Sequence, residues 1–143
     1  MPWTAVKNAK AALRIATNAG EPNGRVLVDA LHAARSATTL NDIASLPRHL
    51  LSYAQLCDAP AGIPATHEAL IHTARGARLL PGDGGIDLRG LVHALPEDLP
   101  LSLEIPNDEW LPELGAEEWG RRAPLPRLAG LSPRPQKEEQ QHD

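Results

Sequence analysis

Three short apolar runs, each closing on polar side chains, constrain the fold of this chain more than any other feature. Arg25-Val26-Leu27-Val28-Asp29-Ala30-Leu31-His32 ends in an acid and a histidine. His49-Leu50-Leu51-Ser52-Tyr53-Ala54-Gln55-Leu56-Cys57-Asp58 repeats the design, and Pro100-Leu101-Ser102-Leu103-Glu104-Ile105 closes on Glu104. Apolar runs of this length read as strands buried on both faces, as in a parallel sheet covered by helices. A charged group where such a strand runs out has no core to satisfy, so it faces a ligand, a metal or solvent. In α/β barrels and open α/β sheets, the C-terminal ends of the strands are where sites are built.

Helical patterns fill the intervals. Val6, Ala9, Leu13 and Ala16 have helical spacing between Thr4, a candidate N-cap, and Gly20, a C-terminal stop. Glu21-Pro22-Asn23-Gly24 is turn chemistry, and the segment 33–38 reads as a loop. Thr39 with Asp42 three residues on forms a capping box for a short helix that Pro47 ends. Pro64 is placed to start a helix that continues through Glu68 to Ala74, and Leu79 to Gly85 is a glycine-rich loop. Leu88, Leu91, Val92 and Leu95 mark an amphipathic helix behind an Asp87 cap. From Asn107 the pattern weakens. Trp110 to Trp119 holds at most a helical extension within 107–123, and the proline-rich polar stretch 124–143 reads as a disordered tail.

Composition narrows the function classes. With 143 residues, 42% of them hydrophobic, the chain suits one domain with a real core. Its net charge is −4 and its 14 basic residues are scattered, which argues against nucleic acid as a partner. No apolar segment approaches the roughly 20 residues that span a bilayer, so no membrane role is expected. A single cysteine excludes an internal disulfide, and the N-terminal sequence has no leader pattern, so the expected location is cytoplasmic.

Taken in order, five stretches look familiar together: Val28-Asp29-Ala30-Leu31-His32; Arg35-Ser36; Tyr53 through Pro60; Ala74-Arg75 with Arg78-Leu79-Leu80-Pro81-Gly82-Asp83-Gly84; and Leu101 through Pro106. They resemble the second half of the sugar phosphate isomerase/epimerase family, whose members are xylose-isomerase-like TIM barrels. The resemblance covers about residues 1–106. A TIM barrel has eight strands and typically about 250 residues, so three strands imply the C-terminal half of one. Met1-Pro2 would then end the fifth strand, and the family's metal-binding glutamate would precede Met1. Open sheet edges in such a half barrel imply self-association.

The resemblance also implies a chemistry. The family holds a divalent ion with two glutamates, an aspartate and commonly a histidine. Asp29 matches the aspartate, Glu104 matches the last glutamate, and Gln55 stands where many relatives have histidine. Oxygen ligands suit manganese or magnesium better than zinc. The ion polarises the oxygens of a small sugar or sugar phosphate, and a carboxylate removes the neighbouring C–H proton to give an enediol. Glu104 is thereby both ligand and catalytic base, while His32 and Arg78 contact the substrate. The implied function is a metal-dependent sugar or sugar-phosphate isomerase or epimerase. The competing reading is a non-catalytic remnant or interaction module that keeps the family's sequence.

Each residue also has a plainer reading. A strand-terminal aspartate such as Asp29 often only caps the next helix, and an amide such as Gln55 can serve as a hydrogen-bond partner instead of a ligand. Asp58 reads as a turn residue and Cys57 as a buried, inert thiol. His67 and His72 are five residues apart, the wrong spacing for a helical zinc-protease motif. The glycines at 82, 84 and 85 suit a turn better than a nucleotide, and Trp3, Trp110 and Trp119 read as packing residues.

Overall fold

The computed structural model describes residues 1–123. The stretch 124–143, expected to be a disordered tail, lies outside the described residues. Helix α1 (Ala9–Ala19) leads to strand β1 (Val28–Asp29), followed by α2 (Ala30–Ala34), α3 (Leu40–Ala44) and a 3-10 turn over Arg48–Leu50. Then come β2 (Ala54–Leu56), α4 (His67–Gly76), α5 (Leu88–Ala94), β3 (Leu101–Leu103) and α6 (Trp110–Arg122). The strands form a parallel sheet in the order β1-β2-β3. Three parallel strands alternating with helices in an open sheet match the expected partial barrel.

The strands are shorter than the apolar runs that announce them, and hydrogen bonds at the ends of β1 and β2 show why. After Val28 the chain turns at once into α2, because Asp29 Oδ1 accepts the His32 backbone N–H at 2.9 Å and so caps that helix. His32 therefore stands on a helix, and the segment expected to be a loop begins with helical residues. In the second run Pro47 sets up the 3-10 turn, and Asp58 leaves the ladder to pair its backbone with Leu79 in an antiparallel bridge.

Alternation along the strands sorts the two faces of the sheet. Val26, Val28, Ala54 and Leu56 point to one side, where Ile43 of α3, Leu88 and Leu91 of α5 and its C-cap Leu95 complete the main core. Ala12, Leu13 and Ala16 of α1 pack against it, partly buried. The other face carries Asp29, Gln55 and Ser102, which are neighbours across the sheet by register. The expectation of burial on both faces thus holds for the helix side only. Leu27 and Tyr53, two residues before Asp29 and Gln55, are 47% and 40% exposed. A smaller cluster of Leu31, Cys57, Ala59 and Ala74 ties α2, α4 and the loop after β2 together.

Several helix ends are where the residues place them. Thr39 and Asp42 form the expected capping box, Asp87 caps α5, and Gly20 closes α1 with φ of 65°, a conformation glycine adopts without steric cost. Two starts differ. Asn8 rather than Thr4 caps α1, since the Thr4 hydroxyl is taken up by the carbonyls of Met1 and Val6. Thr66, two residues after Pro64, caps α4. Helix α6 is longer than expected and is broken by Gly115, whose φ of 74° is non-helical.

Candidate functional site

The site follows from the register. In adjacent parallel strands, paired residues project from the same face, so Asp29, Gln55 and Ser102 form a row across the sheet. Glu104 lies two residues beyond Ser102, and its N–H donates to the Leu56 carbonyl at 3.1 Å, which keeps it beside the end of β2. Asp29, His32, Gln55, Arg78 and Glu104 all line one cavity of about 370 Å³. All five candidate residues therefore come together, from positions spread over 76 residues of sequence (29 to 104, counted inclusively).

Asp29 is 6% exposed and fully engaged. Besides capping α2 through Oδ1, it accepts a hydrogen bond from Arg78 Nη1 on Oδ2 at 2.7 Å. The plainer reading of Asp29 as a cap is thus realised, alongside an ion pair that the residue pattern did not indicate. Arg78, 3% exposed, is anchored from several directions. Its N–H donates to Pro106 O and its carbonyl accepts from Asn107 Nδ2, both at 3.0 Å. Its Nε donates to Ala74 O at 2.9 Å, and Nη1 also approaches the Glu104 carbonyl at 3.4 Å and the Cys57 sulfur at 3.5 Å. Burial works against its charge, but the Asp29 carboxylate outweighs that cost and holds Arg78 above its ordinary pKa.

His32 presents the opposite condition. Its Nδ1 is buried without a hydrogen-bond partner, and its ring makes a T-shaped contact with Trp3 at a centroid distance of 5.4 Å. Burial lowers its pKa against the attraction of Asp29, and Arg78 lowers it further, which favours the neutral imidazole. A buried ring nitrogen left unpaired costs stability and has a use only when a ligand supplies the partner.

The residues around the cavity do not fit a divalent ion as they stand. Among the described residues there is no group of three or more His, Cys, Asp or Glu placed to hold a metal. The three expected ligands comprise two carboxylates and an amide, and one of the carboxylates already carries a guanidinium. An ion bound to Asp29 would lie against that positive charge.

Other expectations resolve clearly. Asp58, 1% exposed, organises the turn: Oδ1 accepts from Ala59 N at 2.8 Å and Ile86 N at 3.0 Å, and Oδ2 from Gly82 N at 3.0 Å. Gly84 is required beside it, since a Cβ there would lie 2.3 Å from both Asp58 Oδ1 and Ala59 O. Cys57 is fully buried, and burial pushes its thiol up to about 11. Two residues have roles that the sequence does not signal. Trp3 shields His32 from 29 positions away, and no local pattern signals such a contact. Arg35, 6% exposed, donates to the carbonyls of Pro60 and Gly62 and so pins the loop after β2.

No protein-family profile matches the chain, and no curated protein does. Solved structures similar to it include two distinct proteins. One is a xylose isomerase-like TIM barrel/4-hydroxyphenylpyruvate dioxygenase fusion protein, 27% identical, with a TM-score of 0.62 over 73% of this chain and 17% of that one. The other is the IolI protein with a bound zinc atom, 18% identical, with a TM-score of 0.75 over 91% of this chain and 45% of that one. The chain thus spans less than half the length of either protein. Its fold is similar to part of a xylose isomerase-like TIM barrel.

Proposed function

We propose that this chain carries the substrate-handling part of an isomerase or epimerase site for small sugars or sugar phosphates. The observation that supports this most is the unpartnered, buried Nδ1 of His32 in a cavity that also holds a carboxylate and an amide. Sugars present hydroxyls that both donate and accept, and a neutral imidazole and an amide can do the same. Asp29 is committed to Arg78 and to the α2 cap, which leaves Glu104 as the base. Glu104 removes the proton from the carbon next to the sugar's carbonyl. The C–H electrons form the C=C bond of the enediol as the C=O π electrons move onto the carbonyl oxygen, which takes a proton from solvent. Returning the proton to the former carbonyl carbon, while the hydroxyl on the deprotonated carbon gives up its proton to solvent and becomes the new carbonyl, completes isomerisation; returning it to the opposite face of the original carbon, while the former carbonyl oxygen gives its proton back and C=O re-forms, completes epimerisation. His32 holds a substrate hydroxyl, and Arg78 fixes the floor on which the substrate lies. The manganese or magnesium ion implied by the family resemblance enters none of these steps, because Arg78 holds the carboxylate it would need.

Deuterium incorporation from heavy water into xylulose or fructose 6-phosphate, followed by proton NMR, tests the proposal. Exchange at the carbon beside the carbonyl, lost in Glu104→Gln, is the expected result; folded protein that exchanges neither sugar would overturn it. A second reading, a non-catalytic remnant that binds without turning over, is favoured by the Asp29–Arg78 pair closing off one carboxylate. Sugar binding without exchange would select it.

A further inference from the structure

We propose that Arg78 is the resident cation of this site, its guanidinium standing on Asp29 so that a divalent ion is excluded from that carboxylate. The inference rests on the ion pair and is independent of the isomerase proposal. Three observations carry it. The pair is short, 2.7 Å, and its side chains are 4% and 6% exposed, so water screens neither charge. Arg78 is built into place rather than leaning in from the surface, with Nε on Ala74 O and its own backbone held by Pro106 and Asn107 of the segment after β3. Asp29 Oδ1 is meanwhile committed to the first turn of α2, so the carboxylate cannot swing to meet an ion without uncapping that helix.

Like charges set the consequence. A divalent ion on Asp29 would sit within one carboxylate's width of a buried positive charge, in a setting where Coulomb repulsion is far stronger than in bulk water. The chain would bind such an ion only by first breaking the pair and leaving a guanidinium buried and unpaired. An incomplete ring of ligands would also weaken metal binding, but the two causes respond differently to substitution at position 78. If ligands are merely missing, removing the guanidinium charge gains nothing. If Arg78 is the resident cation, removing its charge opens Asp29.

Manganese binding, read by electron paramagnetic resonance and calorimetry, tests this without relying on activity. The wild-type chain is expected to leave micromolar manganese free. Arg78→Gln, which can still donate a hydrogen bond to Asp29, is expected to bind manganese tenfold or more tightly, the least that removing a like charge at this separation should give. Arg78→Lys, which keeps the charge, is expected to resemble wild type. Stoichiometric micromolar binding by wild type would overturn the inference, as would equal affinities for the Gln and Lys variants. Should Arg78→Gln not fold, the wild-type Arg78 Nε–H resonance decides. Its persistence under excess manganese supports the resident guanidinium, and its loss to paramagnetic broadening at micromolar metal refutes it.

Discussion

Neutralising Asp29 while keeping its shape isolates the energetic weight of the buried ion pair. Asn is as good an N-cap as Asp, so Asp29→Asn retains the bond to the His32 N–H and removes only the charge. Arg78 would then keep Ala74 O on Nε, while Nη1 would retain only the longer approaches to Glu104 O at 3.4 Å and Cys57 Sγ at 3.5 Å. Breaking a buried pair by removing one partner costs about 3–5 kcal/mol. That is a large part of the roughly 5–15 kcal/mol that holds a small domain folded. With a urea slope of about 1–3 kcal/mol/M, the midpoint should fall by one to several molar, or the variant should not fold at all. Asp29→Asn/Arg78→Gln replaces two charges with two amides that can hydrogen-bond, and should recover all but about 1–2 kcal/mol, because a neutral pair carries no unpaired charge. Urea unfolding followed by the fluorescence of Trp3, Trp110 and Trp119 measures both. If Asp29→Asn costs less than about 1 kcal/mol, the range of an exposed pair, or if the two single losses simply add in the double variant, the pair is not the buried element described here.

Three further outcomes are expected. Asp58→Ala strips the acceptor from the N–H groups of Ala59, Gly82 and Ile86 and should cost about 3 kcal/mol or more; hydrogen exchange should speed up at those three amides first, and unchanged protection there would remove Asp58 from its organising role. Cys57, with its thiol pushed up to about 11 by burial, should stay protonated and resist alkylation across the neutral and mildly alkaline range, reacting only when the chain is unfolded in urea; rapid labelling of native protein would contradict this. Strands β1 and β3 each have one unpaired edge among the described residues, and Leu27 and Tyr53 lie exposed on the polar face. We therefore expect self-association in light scattering, with a concentration-independent monomer as the contrary result.

The residue pattern carries the architecture well because burial writes it directly. Val26, Val28, Ala54 and Leu56 are apolar since α3 and α5 cover them, and the spacing of Leu88, Leu91 and Leu95 records the same contact from the helix side. The gathering of Asp29, Gln55 and Glu104 was also legible, because strand ends in a parallel sheet lie side by side. What the pattern does not carry is pairing between distant segments. Nothing local to Arg78 says that it will meet Asp29, 49 positions away, and nothing local to Trp3 says that it will cover His32. The strands are shorter than their apolar runs for a related reason. An apolar run continues through Ala30 and Leu31 although the chain has turned into a helix, since Leu31 is buried in the second cluster rather than in the sheet.

The convergence of His32, Gln55 and Glu104 on one sugar-sized cavity is tested most directly by an NMR titration with xylulose and with fructose 6-phosphate. The His32 ring and Gln55 side-chain amide resonances should move together and saturably for at least one of the two sugars. No saturable shift at these groups for either sugar up to about 10 mM, where binding is worth less than about 3 kcal/mol, or saturable shifts confined to other parts of the chain, would contradict the site.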